Sequence, residues 1–255
     1  MCRGVGRLTR VIGSGVVGAL VAAGELVLPR TCAGCDRPGA TLCTHCRAEL
    51  CELALPTMEP VAPHPVPTGW PGCSGALRYS GLAARLVHAF KDGERRDLAD
   101  LLGLLLADGV RRALSRAPRA PGPVLVVPVP SSPATVRRRG DRPTLLLARR
   151  AVRALGPEVA VAPVLTMRRG TADQAALDRA GRQANLAGAM TTTGPARVRG
   201  RHCVLVDDVL TSGATLSEGR RALLAAGASR VDLAVVMVTP RRVAGTGLPF
   251  RTCPD

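Results

Sequence analysis

Aromatic side chains are nearly missing from this chain. Trp70, Tyr79, Phe90 and Phe250 are the four among 255 residues. A surface that grips single strands by stacking bases on rings needs more of them, so the composition argues against that mode of binding. Lysine is scarcer still. Lys91 is the one lysine among 35 basic residues, and Asp92 follows it. A phosphate-binding P-loop needs Gly-Lys-Ser/Thr, so P-loop ATPase or GTPase chemistry is excluded. The apolar run Val11–Gly24 stops at Glu25, short of the roughly 20 residues a helix needs to cross a bilayer, so no membrane span is expected. Acids are few as well: 19 Asp and Glu leave a net charge of +16.

What is present supports a folded protein. Hydrophobic residues make up 46% and charged residues 21%, enough to bury a core. The length suits one large domain, or one ordinary domain with a small module. The positive charge is concentrated: residues 111–157 carry eleven arginines and a single acid, Asp141. Such a cluster attracts polyanions, whether nucleic acid, an anionic membrane or phosphorylated small molecules. An Arg- and Ala-rich composition accounts for the overall charge, but less well for the cluster.

Nine cysteines, an odd number, argue against a secreted disulfide framework. Four fall in the spacing Cys32-x2-Cys35-x7-Cys43-x2-Cys46, with Gly34, Pro38 and Gly39 available for tight turns. Two such pairs can present four thiolates tetrahedrally to one structural Zn2+. A redox dithiol is the rival reading, and His45 is an alternative ligand. Arg3, Arg7 and Arg10 ahead of the apolar run resemble a signal peptide. A zinc module so close behind it suits a reducing compartment better. The expectation is an apolar helix packed on the module, in a cytoplasmic protein. Gly13-Ser-Gly15-Val-Val-Gly18 fits the dinucleotide fingerprint in letters only, because Asp36 lies between the Cys pairs, where no strand fits.

The chain divides into residues 1–52 (apolar helix and four-Cys module), 53–75 (Pro-rich linker), 76–242 (α/β domain) and 243–255 (tail). Strands are expected at 76–79, 124–129, 159–165, 202–206 and 231–238, and helices at 82–90, 98–114, 142–155 and 215–226. Residues 207–213 read as a turn, 168–190 as a long polar loop, and Gly227 as a helix stop. Alternation of the two element types implies a parallel sheet.

The chemistry lies in Val206-Asp207-Asp208-Val209-Leu210-Thr211-Ser212-Gly213-Ala214-Thr215. A buried strand delivers two adjacent acids at its carboxyl end, the edge where open α/β sheets bind ligands. The loop amides and the helix N-terminus form a nest for a phosphate. Carboxylates accept hydrogen bonds from paired sugar hydroxyls, or hold Mg2+. A sugar phosphate carries both kinds of group.

This segment resembles the phosphoribosyl-pyrophosphate (PRPP) motif of type I phosphoribosyltransferases. The chain from about Leu26 to Val238 resembles the ComF/GntX family. Its matching features are the four-Cys module, Val126-Val-Pro-Val-Pro130, Arg139-Gly140, Gln174, Arg182, Asn185-Leu-Ala-Gly188 and the acid-pair segment. The resemblance implies a parallel-sheet phosphoribosyltransferase-like domain with a small N-terminal zinc-ribbon-like module. It further implies that Asp207 and Asp208 meet the ribose hydroxyls and that Val209 to Thr215 surround the 5-phosphate. Pro130, Ser131, Ser132, Arg137 and Arg139 fall on the pyrophosphate side, and Gln174, Arg182 and Asn185 on a lid. PRPP with Mg2+ is the ligand so implied. An association of such proteins with DNA uptake implies single-stranded DNA as an alternative partner of the Arg-rich face. The chain departs from the family at Asp141-Arg142-Pro143, where an aromatic, Asn and Gln are usual.

Overall fold

The computed structural model describes residues 31–55, 59–92, 95–116, 122–131, 136, 142–168 and 188–239. Five strands form one sheet: β1 (Ser74–Arg78), β2 (Val124–Pro128), β3 (Val159–Val161), β6 (His202–Leu210) and β7 (Arg230–Val238). Their order is β1-β7-β6-β2-β3, and every pairing is parallel. A second, antiparallel pair joins β4 (Leu165–Met167) to β5 (Met190–Thr192).

Helices cover both faces of the large sheet, so its strands read as continuous apolar runs. Val124, Val126, Val204 and Val206 turn to one face, and Leu125, Val127, Cys203 and Leu205 to the other. On the first face lie α2 (Gly81–Asp92), α3 (Ala99–Ser115) and α4 (Pro143–Leu155). Gly109 lets α3 lie close on the sheet, since a Cβ there would stand 2.9 Å from the Val235 carbonyl oxygen. On the second face lie α5 (Ala214–Ala225) and the β4–β5 pair. Buried Glu218 of α5 accepts a 2.8 Å bond from Met190 N–H and pairs with Arg221 at 2.7 Å. Arg221 in turn donates to the Met190 carbonyl at 3.1 Å, which bolts β5 to α5.

At the opposite edge from the carboxyl strand ends, His202 Nε2 meets Asp232 Oδ2 at 2.8 Å, and Arg230 forks onto both oxygens of Asp232. Burial pushes the Asp232 carboxyl up, but these two partners outweigh it and hold it below the usual carboxylate range.

The four-Cys module ends in α1 (Thr44–Glu52) and shares a core with α2. Cys32, Leu42, Cys46 and Leu50 are buried in the same cluster as Leu82 and Leu86. Arg85 Nε donates to the Gly34 carbonyl at 3.1 Å. Within the Pro-rich span, Leu55 N–H donates to Ala76 O and Arg78 N–H to Leu53 O, so the chain runs along the free edge of β1. Val61 and Cys73 exchange a second pair of bonds at 2.8 and 2.9 Å.

Three readings of the sequence change. The turn expected at 207–213 begins later, because the ladder between β6 and β7 continues to Leu210 and Val238. The strand expected at 159–165 is two, in different sheets; Pro163, which lacks an N–H donor, stands between them. Strand β5 falls at the end of the span read as loop. The N-terminal apolar helix and the tail lie outside the described residues.

Candidate functional site

Strand β6 is the centre of the sheet, with β7 on one side and β2 on the other. Asp207 and Asp208 sit near its carboxyl end, still in the ladder, so their side chains leave toward opposite faces. Asp208 is buried and Asp207 half-buried. Asp208 N–H donates to Asp207 Oδ1 at 2.9 Å. Burial, then the neighbouring Asp208 charge, pushes the Asp207 carboxyl up to about 8.

Asp208 has a partner that the sequence reading did not foresee. Lys91 Nζ, from the last turn of α2, stands 2.5 Å from Asp208 Oδ2. The signal was visible: one lysine in a chain that otherwise uses arginine throughout. Nothing in its spacing tied it to an acid more than a hundred residues away.

Thr211, Ser212 and Gly213 link β6 to α5. Gly213 is the N-cap of α5, in the left-handed region at φ 75°, and no side chain caps the helix there. The first-turn amides of α5 therefore have no helical acceptors. Ala214 N–H reaches Ser212 Oγ at 3.4 Å. On the Cβ side of Gly213 the space is taken by the chain itself, with Pro63 Cγ at 2.8 Å and Trp70 Cζ3 at 2.9 Å from where a Cβ would stand. Trp70 is held by its indole N–H, which donates to the Val61 carbonyl at 3.0 Å. Thr211 is exposed, Val209, Ser212 and Thr215 are half-buried, and Leu210 and Ala214 are buried.

Beside β6, Val129 N–H donates to the Val206 carbonyl at 3.0 Å. The strand end there opens on a cavity of about 330 Å³, lined by Pro130, Ser131, Arg142, Leu145, Pro163 and Met167 among others. Neither acid of the pair lines it. Arg142 is the N-cap residue of α4, and Pro143 takes its first helical position, where a missing N–H costs nothing. The departure from the family pattern thus places an arginine in the cavity lining. Ser132, Arg137, Arg139, Gln174, Arg182 and Asn185 lie outside the described residues.

At the N-terminal module, the sulfurs of Cys32, Cys35, Cys43 and Cys46 all lie within 4.8 Å of one another, and His45 is not among them. Cys35 and Cys43 Sγ are 3.7 Å apart. A tetrahedral ion with bonds of about 2.3 Å sets its sulfurs about 3.8 Å apart, so the set fits one metal ion. Burial pushes the Cys32 thiol up, but N–H groups of Cys43, Gly34 and Cys35 outweigh it and bring it down to about 6. The Cys46 thiol is pushed well up by burial and by the other three sulfurs, a repulsion that a bound cation relieves. The seven described cysteines are all free thiols. No helix among the described residues is long and apolar enough to cross a membrane.

The parallel sheet, with the acid pair at the end of its central strand, is that of an α/β domain of the phosphoribosyltransferase type, and residues 144–249 match the phosphoribosyl transferase domain family. The chain belongs to the ComF/GntX family. It is 31% identical over 223 residues to the DNA utilization protein YhgH of Salmonella typhi, covering 82% of this chain and 96% of that protein. Its identity to the protein of the same name from Escherichia coli K12 is 30% over 213 residues, covering 84% and 91%. Among solved structures, the hypoxanthine-guanine phosphoribosyltransferase of Leishmania tarentolae in complex with GMP is 19% identical, covering 59% of this chain and 73% of that one, with a TM-score of 0.32.

Proposed function

We propose that the protein binds PRPP, and transfers or recognises its 5-phosphoribosyl group. The observation behind this reading is the acid pair at the end of β6, three residues ahead of a loop that opens into the uncapped N-terminus of α5. Asp207 and Asp208 accept hydrogen bonds from the 2- and 3-hydroxyls. The amides of residues 211–215, with the hydroxyls of Thr211, Ser212 and Thr215, hold the 5-phosphate. Pro130, Ser131, Ser132, Arg137 and Arg139 face the pyrophosphate, and Arg142 at the cavity joins them. Gln174, Arg182 and Asn185 belong to a covering loop that excludes water. Mg2+ bound near the acids supplies positive charge for the pyrophosphate. The chain needs no nucleophile of its own, because positioning and fixed charge do the work. Zn2+ is the metal that suits the four thiolates, as a structural ion in a reducing cytoplasm.

Calorimetry with Mg2+-PRPP tests the reading. The wild-type protein binds, and the double variant Asp207→Asn/Asp208→Asn loses binding while its circular dichroism is unchanged. Full affinity in the double variant refutes the site. Pyrophosphate release with a panel of bases then separates transfer from recognition.

A second reading concerns DNA. Arg142, Arg149 and Arg153 are exposed along α4, which carries no acid, and the relatives bear a DNA utilization name. We propose that this face binds single-stranded DNA through its phosphates. The affinity should fall steeply with salt, and Arg149→Glu/Arg153→Glu should weaken it without touching PRPP binding. A salt-independent affinity rules this reading out.

A further inference from the structure

We propose that Lys91 is a positioning residue of the phosphoribosyl site: its ammonium, 2.5 Å from Asp208 Oδ2, fixes the Asp208 carboxylate beside Asp207. The inference rests on the reading of the acid pair as the ribose-binding group, and adds to it the cation that makes the pair workable.

Two adjacent carboxylates in a partly dry site oppose each other's ionisation. Removing Asp208 from water is tolerable only with a partner, because an uncompensated buried charge is costly. Lys91 supplies that partner across the sheet–helix boundary: its side chain is 28% exposed, against 8% for Asp208. The residue type matters. An arginine would present a planar fork and engage both carboxylate oxygens. The ammonium is a point charge and sits on Oδ2, which leaves Oδ1 able to accept from a sugar hydroxyl. A chain with 35 basic residues uses lysine once, and uses it here.

The charges around Asp207 come from several elements. Asp208 lies beside it on β6 and raises it, while Lys91 on α2 lowers it. Cys73, just before β1, feels the Asp207 charge; burial pushes its thiol well up, so it adds no negative charge near neutrality. Arg116, at the end of α3, donates to Ser74 Oγ at 2.5 Å. Among the described residues, Lys91 is thus the cation paired directly with Asp208.

The test uses the full-length protein labelled with carbon-13, with side-chain carboxyl resonances followed against pH. In Lys91→Met the Asp207 midpoint rises by about one pH unit, the scale of losing one close opposite charge, and Lys91→Arg restores it. Calorimetry with Mg2+-PRPP then shows Lys91→Met weakened about tenfold at pH 6.5 and only about twofold at pH 9, where Asp207 is largely ionised in the wild type and about half ionised in the variant. Lys91→Arg keeps a wild-type pH profile at lower affinity, because its fork also takes Oδ1, and an unchanged circular dichroism spectrum in either variant shows that the fold survives. An Asp207 midpoint and a PRPP pH profile both unchanged in Lys91→Met overturn the proposal. A midpoint that moves in Lys91→Met while the wild-type protein binds no PRPP at any pH overturns the ligand assignment instead, and leaves the Lys91–acid coupling standing.

Discussion

Gly213→Ala is the substitution that most directly probes the loop below the acid pair. Its cost has two parts. The left-handed backbone at φ 75° penalises a side chain by roughly 1–2 kcal/mol. The new Cβ would also stand 2.8 Å from Pro63 Cγ and 2.9 Å from Trp70 Cζ3, contacts that force a shift, and overpacking of this kind costs about 1–3 kcal/mol. The sum is about 2–5 kcal/mol. For a protein of this size each kcal/mol lowers the melting temperature by roughly 2–4 °C, so a drop of at least about 4 °C is expected by scanning calorimetry. The double variant Trp70→Ala/Gly213→Ala separates the parts: against a Trp70→Ala background, the Gly213 substitution retains the backbone cost and the Pro63 contact and loses the Trp70 share of the steric cost. A melting point within 1 °C of wild type for Gly213→Ala refutes the loop geometry.

Asp207 is raised to about 8 in the folded chain, so the folded state holds a proton that the unfolded state gives up near pH 4. Its contribution to stability is therefore lost progressively between about pH 4 and pH 8. Asp207→Asn should flatten that decline and raise the melting temperature more at pH 8 than at pH 5, whereas parallel curves contradict the assignment. Asp232→Ala leaves His202, 3% exposed, and the Arg230 fork without their shared acceptor, and should cost about 2–4 kcal/mol in urea unfolding; a loss below 0.5 kcal/mol would show the triad to be idle. Cys46→Ser, or a strong chelator, should release about one metal ion per chain and lower the melting temperature of the whole protein. Cys46 belongs to the core that contains Leu82 and Leu86, so a loss confined to a separate low-temperature transition counts against that shared core.

Much of the α/β order was legible because the sheet is covered on both faces. Val124–Pro128 and Arg230–Val238 are nearly unbroken apolar runs, and Gly227 marks the end of α5 through its left-handed φ of 89°. The acid pair was legible for a chemical reason: carboxylates next to an anion nest are hard to explain without a ligand. The misses are long-range. Strand β5 is three residues long and is held by Glu218 and Arg221 from a helix still to come. The Lys91–Asp208 contact and the Trp70–Gly213 contact join residues over a hundred apart, and no periodicity records such a meeting. Composition gave a hint in both cases, since each involves the chain's single residue of its type.

The acids also gain from lying on β6, with hydrogen-bonded neighbours on both sides. Amide hydrogens on such a strand exchange with solvent only when the molecule as a whole opens. The carboxylates therefore keep their spacing through every local fluctuation of the surface loops, and ligand arrival finds them already set. Adaptation to different acceptors falls to the surrounding loops, while the grip on the sugar is as durable as the fold itself.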